Sequence, residues 1–225
     1  MESSAAIELA KHVLSTFAVI LAAPLVLART SNNQLVLGTV QSVGGIGGVL
    51  GGLLLSVWGG PRRKIDGVLG GFIVEGLLGA VVFGLGRGIV LWSAGLFFSG
   101  FLLPILNGSS QAIWQAKVAP DVQGRVFSVR RLIAQITAPL AMLLAGPLAD
   151  YVFEPAMMPG GAWADTFGGL VGTGPGAGMS LIFIVAGLLS VLVGLAGYAV
   201  PVIRDVETIL PDHDAGGASL VASSA

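Results

Sequence analysis

Six predominantly apolar stretches, at about 13–28, 35–58, 66–86, 89–114, 126–151 and 179–203, leave this chain little choice of environment. Crossing a hydrocarbon layer of roughly 30 Å takes about 20 apolar residues in a helix. All but the first stretch reach that length. Lipid offers no water to backbone amides and carbonyls, so each span must close its own hydrogen bonds as an α-helix. The expected fold is therefore all-α and integral to a membrane, with six transmembrane helices. Composition agrees, because 10% of the residues are charged against about 25% in an ordinary soluble domain.

An even number of spans puts both termini on one side, and the basic residues say which. Lys11, Arg62, Arg63, Lys64, Lys117, Arg125, Arg130, Arg131 and Arg204 fall on the side of the termini, whereas Arg29 and Arg87 fall on the other. Positive loops stay in the cytoplasm, so both termini are expected there. The expected organisation is a cytoplasmic segment 1–12, a six-helix membrane domain 13–203 and a disordered cytoplasmic tail 204–225. Segment 152–178 reads as an outer loop, with Trp163 and Phe167 spaced for a short interfacial turn. Trp58, Trp92 and Trp114 come near span ends, where an indole prefers to sit. The first span resembles a signal peptide in length, but Glu2 and Glu8 in its leader and Pro24 within it favour a membrane span.

Several functional classes drop out. Cysteine is absent, which excludes thiol chemistry and disulfides. No G-x-x-x-x-G-K-[ST] loop is present to cradle nucleotide phosphates, so ATP-driven transport is excluded. The two histidines, His12 and His213, lie outside the spans, and no buried nucleophile–base pair or paired carboxylates can be read. No enzymatic activity, cofactor or metal is expected. A net charge of −1 gives no reason to expect nucleic acid. The partners expected are lipid and a small molecule.

Gly44, Gly48 and Gly52 form one i+4 row in the second span, with Gly47 and Gly51 beside it, and such rows let a second helix approach closely. The segment Gly51–Lys64, which ends in Trp58-Gly59-Gly60-Pro61-Arg62-Arg63-Lys64, resembles the loop motif between the second and third helices of a major facilitator half. Gln115–Phe127 and Ala145-Gly146-Pro147-Leu148-Ala149-Asp150 are similar to the carboxy-terminal half of the macrolide-efflux and enterobactin-exporter branch of that superfamily. Ser56 stands where the loop motif commonly carries an acid, which removes that motif's charge relay here. The resemblance implies a proton-driven exporter of which this chain is one six-helix half. A second six-helix half, or a second copy of the chain, is then the expected partner, since alternating access needs two bodies around one site.

Glu75 stands near the centre of the third span. An ionised acid at that depth costs roughly 2.5–3.5 kcal/mol on insertion scales and is a functional hypothesis by default. Gly67, Gly71, Glu75 and Gly79 share an i+4 row, so the carboxyl is expected to face another helix or a cavity. It is a candidate for proton coupling or for a neutral interhelix hydrogen bond. The resemblance implies that the third helix is peripheral, and that the fourth lines the cavity. In the fourth span Gly100, Pro104, Asn107, Gln111 and Trp114 share one face. Asn107 and Gln111 are candidates to hydrogen-bond a substrate and Trp114 to stack on it, or the amides tie helices together. In the fifth span Arg131, Gln135 and Pro139 lie on one row, with Gln135 a candidate substrate contact. Arg62, Arg63, Lys64 and Arg131 are candidates for a cytoplasmic gate, Arg131 with Asp121 or simply snorkelling to the surface.

These features converge on a proton-coupled efflux permease of a bacterial-type cytoplasmic membrane, in half or truncated form, exporting a small amphipathic drug-like or siderophore-like compound. The rival is a non-transporting six-helix subunit that only assembles with partner helices.

Overall fold

The computed structural model describes Thr16 and residues 19–209, and every regular element in them is helical. The main helices are α1 Val19–Arg29, α2 Gln34–Trp58, α3 Lys64–Leu85, α4 Ile89–Lys117, α5 Pro120–Leu148, α6 Ala164–Val171 and α7 Ala177–Ala199. Of these, α2, α3, α4 and α7, at 25, 22, 29 and 23 residues, are long and apolar enough to cross a membrane. They correspond to four of the six expected spans. α1 is shorter within the described residues, and the expected segment 1–12 lies outside them. α5 has 29 residues but carries Asp121, Arg125, Arg130 and Arg131 in its first half, and it begins six residues before the expected span.

Glycine spacing sets the helix contacts. α2 and α4 pack with backbones touching: a Cβ on Gly47 or Gly51 would run into the carbonyls of Phe97 and Phe101, and one on Gly100 into that of Gly44. α3 uses two faces. Gly67, Gly71 and Gly79 lie against Ser109, Leu106 and Ser99 of α4, whereas Gly76 and Gly84 lie against Gly187 and Ser180 of α7. Between its α-helical ends, α3 makes a π turn over Glu75–Val81. Such a turn inserts a residue into the helix and rotates the carboxy-terminal part relative to the amino-terminal part.

A core forms where these helices meet α1. Leu25, Val26, Val40, Phe83 and Trp92 are at most 1% exposed, and the Phe83 and Phe183 rings lie 4.7 Å apart. Trp92 therefore sits at the start of α4, as expected, with its ring buried in the core against Gly86. α5 and the residue that follows it reach this core through Ala145 and Ala149, with Ala141 also buried one turn earlier, and α5 leaves Leu132, Ile136, Leu143 and Leu144 exposed.

The segment expected as an outer loop has structure of its own. A π turn over Ala149–Phe153 leads into Glu154–Met157, and α6 comes next. Trp163 precedes α6 and packs edge-on against Phe153, so its ring is spent on the protein. The two basic residues assigned to this side hold the segment in place. Arg29 donates to the Val171 carbonyl at 2.6 Å and Arg87 to the Gly169 carbonyl at 2.6 Å. Cations at the carbonyl end of a helix are favoured by its dipole.

At the opposite end, residues 204–209 correct the expectation of disorder; residues 210–225 lie outside the described residues. Pro201–Arg204 and Val206–Ile209 are short helical turns laid across the basic loop. Arg63 donates to the Arg204 carbonyl at 2.6 Å and pairs with Asp205 at 3.1 Å. Glu207 accepts from the Ile65 amide at 2.9 Å, and Lys117 donates to the Glu207 carbonyl at 2.6 Å. One segment thus fastens the ends of α3, α4 and α7.

The Arg204 hydrogen bond, assisted by Arg63, holds the Asp205 carboxyl below its ordinary range. An acid with a depressed folded pKa contributes stability above its unfolded pKa and loses it as pH falls through the folded value. The strap is therefore expected to stay fastened at neutral pH and to loosen only below the usual aspartate value of about 4. Amide-exchange protection across 200–209, normalised to intrinsic rates, tests this. Loss of protection between pH 6 and 8 would contradict it.

Candidate functional site

Where α1, α2, α3, α4 and α7 fail to close on one another they leave an open-sided cavity of about 500 Å³. Its wall is mostly aliphatic and aromatic, from Val26, Leu37, Leu96, Leu103 and Phe183 among others, broken by Gln41, Glu75, Ser99, Asn107 and Ser190. Small residues make the space. Gly44 and Gly100 bring α2 and α4 together at one edge, and α1 supplies Ala22 and Ala23 at another.

Glu75 enters this cavity from the first residue of the π turn, half-buried. Ser99 Oγ donates to its Oε1 at 3.0 Å, leaving Oε2 with no hydrogen-bond partner among the described residues. Opposite, Ser190 Oγ is committed to the Phe72 carbonyl at 3.1 Å. Among the described residues Glu75 is the sole ionisable group in the wall, and no Lys, Arg or His among them lines it.

Of the polar face expected on α4, the structure brings Gly100 and Asn107 to the cavity and leaves out Gln111 and Trp114. The reason is depth. At 1.5 Å rise per residue, Trp114 sits roughly 10 Å beyond Asn107 along the helix, so a shared face does not mean a shared site. Gln111 is exposed. The Trp114 ring already carries a cation of its own, the Arg130 guanidinium at 4.5 Å. Gln135 and Arg131 are exposed on α5 and do not line the cavity. Arg131 cannot pair with Asp121, since ten residues of one continuous helix separate them by roughly 15 Å.

The basic loop is likewise resolved residue by residue. Lys64 Nζ donates to the Gly59 carbonyl at 2.9 Å, closing the end of α2 where Gly59 turns at φ 75°. Arg63 is tied to the strap, and Arg62 is exposed. Gln41, Ser99 and Ser190 are the polar cavity residues that sequence reasoning missed. Ser99 stands two i+4 steps before Asn107, so the helical period was the available signal. Among the described residues no group of three His, Asp or Glu could hold a metal.

An all-helical, membrane-type body with an acid-bearing cavity is the class of protein this arrangement defines. Its sequence similarity is to macrolide efflux protein A from Streptococcus pyogenes, and to the protein of the same name from serotype M6 of that species. Each is 27% identical over 108 residues, 47% of this chain and 26% of the relative. The matched stretch thus spans about a quarter of each relative. No family model matches, and no solved structure matches. The relatives are named as efflux proteins, which are not enzymes.

Proposed function

We propose that this chain is one half of a major facilitator-type secondary efflux transporter, multi-pass in a bacterial cytoplasmic membrane, with both termini cytoplasmic. The observation that carries this is the cavity of about 500 Å³ at mid-helix depth, with Glu75 in its wall. Its apolar lining suits an amphipathic compound, and the distant similarity to macrolide efflux protein A supports export as the direction. Asn107 is the amide placed to contact substrate, and Glu75 the group placed to carry a proton. Arg29 and Arg87 then hold the outer segment, while the strap over Arg63 and Lys117 holds the cytoplasmic ends. A second six-helix body, a separate half or a second copy, completes the transport path, because alternating access needs two bodies moving about one site.

Reconstitution in liposomes tests this. The chain alone is expected to give no dye or drug efflux under an imposed proton gradient, and to give it with an amino-terminal half added. Glu75→Gln is expected to abolish the gradient dependence while leaving substrate binding measurable. Robust efflux by a monomeric chain would defeat the half-transporter reading. Gradient coupling retained in Glu75→Gln would remove the proton role from Glu75.

A further inference from the structure

We infer that Arg29 and Arg87 form an anion site at the outer end of the bundle, around an open notch at Gly172, and that its ligand is a phosphate group, on a lipid head group or free. The site stands apart from the cavity and from the transport proposed above.

The two side chains arrive from different elements. Arg29 ends α1, and Arg87 lies in the turn between α3 and α4. Both reach the end of α6, where Gly172 follows the helix at φ 81° and ψ 178°, a conformation that is essentially glycine's alone. A Cβ on Gly172 would find Arg29 Nη1 at 3.7 Å and Arg87 Nε at 3.9 Å, with no other atom closer than these. The absent side chain thus leaves a space that two guanidiniums flank.

The fold does not repay the gathering of these charges. Arg87 acts on Arg29 by repulsion, and Glu154 offsets part of it. Glu154 forms no ion pair with Arg29 among the described residues, because its oxygens serve the Gly176 and Met179 amides. Arg29 donates through Nη2 to the Val171 carbonyl, while its Nε is buried with no partner among the described residues. Arg87 likewise donates through Nη2, to the Gly169 carbonyl. A charge drawn partly out of water is stable when it is paired. One anion in the notch pairs both arginines at once.

Phosphate suits the notch better than carboxylate does. Guanidinium forks match phosphate oxygens, and a tetrahedral anion offers acceptors to donors that approach from two elements, whereas a carboxylate offers its two in one plane. Depth points the same way. Arg87 joins two helices that are each long and apolar enough to cross a membrane, so it lies at the level where a bilayer presents its phosphates.

The full chain in neutral detergent, stripped of lipid, is titrated with dihexanoyl phosphatidylglycerol and with dihexanoylglycerol, which has the same chains and no phosphate. Inorganic phosphate is titrated separately against chloride at matched ionic strength. A ligand of the folded state raises the unfolding midpoint. A saturable rise is expected with the phospholipid or with inorganic phosphate, and none with dihexanoylglycerol or chloride. A rise with the phospholipid alone assigns the site to a lipid head group; a rise with inorganic phosphate that competes with the lipid assigns it to the free ion. Arg87→Gln, at an exposed position, is expected to weaken the apparent affinity about tenfold, and Arg87→Lys to weaken it less. No rise with either phosphate ligand, an equal rise with dihexanoylglycerol, or equal affinity in wild type and Arg87→Gln would overturn the inference. If Arg87→Gln fails to fold, amide exchange in the wild type decides: the phosphate ligand is expected to slow exchange across 168–174, and slowing confined to other segments would overturn the inference too. Binding is read here without efflux, so this site and the transporter reading fail separately.

Discussion

Replacing Gly51 by leucine is expected to leave little folded protein. The position faces the carbonyl of Phe101 across the α2–α4 contact, and even a Cβ would overlap that backbone group. Overpacking a tight contact typically costs about 1–3 kcal/mol, and more where the obstacle is backbone that cannot rotate away. In a membrane, helix association depends on such close packing, since lipid is as apolar as any side chain. Gly52→Leu provides the control one residue along, where nothing lies within 4 Å. The yield of monodisperse protein from detergent extracts is expected to collapse for Gly51→Leu and to stay near wild type for Gly52→Leu. Equal yields would show that the α2–α4 contact does not hold the fold.

Glu154→Ala is expected to be the most damaging change in the outer segment. Glu154 accepts from the Gly176 amide at 3.0 Å and the Met179 amide at 2.8 Å, and so satisfies two of the N–H groups that open α7. Helix-terminal amides have no partner within their own helix. Leaving a buried donor unsatisfied costs about 1–3 kcal/mol, so losing both acceptors is expected to cost about 2–4 kcal/mol. Glutamine keeps one acceptor oxygen and is expected to recover about half of the loss. Thermal unfolding in detergent gives the order wild type, Glu154→Gln, Glu154→Ala. An alanine variant as stable as wild type would mean that water, and not Glu154, satisfies α7.

The row Gly67, Gly71, Glu75 and Gly79 was legible in the sequence, because helical period alone places those residues on one face. Its facing α4 and a cavity is explained by small residues lying beside a carboxyl. The π turn that begins at Glu75 left no sequence mark, since nothing in Glu75–Val81 distinguishes an i+5 ladder from an i+4 one. On α4 the period brought Asn107 to the cavity but brought Gln111 and Trp114 along with it. Period fixes azimuth and says nothing of depth, and cavity depth depends on where five helices happen to part.

The strap shows the same division. Arg62, Arg63 and Lys64 marked a boundary by charge, yet the loop's partners Arg204, Asp205 and Glu207 lie about 140 residues away. A polar stretch after the last apolar run reads as tail unless that long-range pairing is known. Residues 152–178 misled for a related reason, because short helices such as α6 owe their stability to Arg29, Arg87 and the core beneath them and not to their own propensity.

The sequence by itself determined that the chain is helical, apolar enough for lipid, and rich in glycine rows, because these are properties of single helices read against a solvent. Which rows meet, where the helices part to form a cavity, and which polar groups share it were decided only by tertiary packing. Those outcomes depend on relative depth and rotation of several helices at once, and local pattern does not encode either.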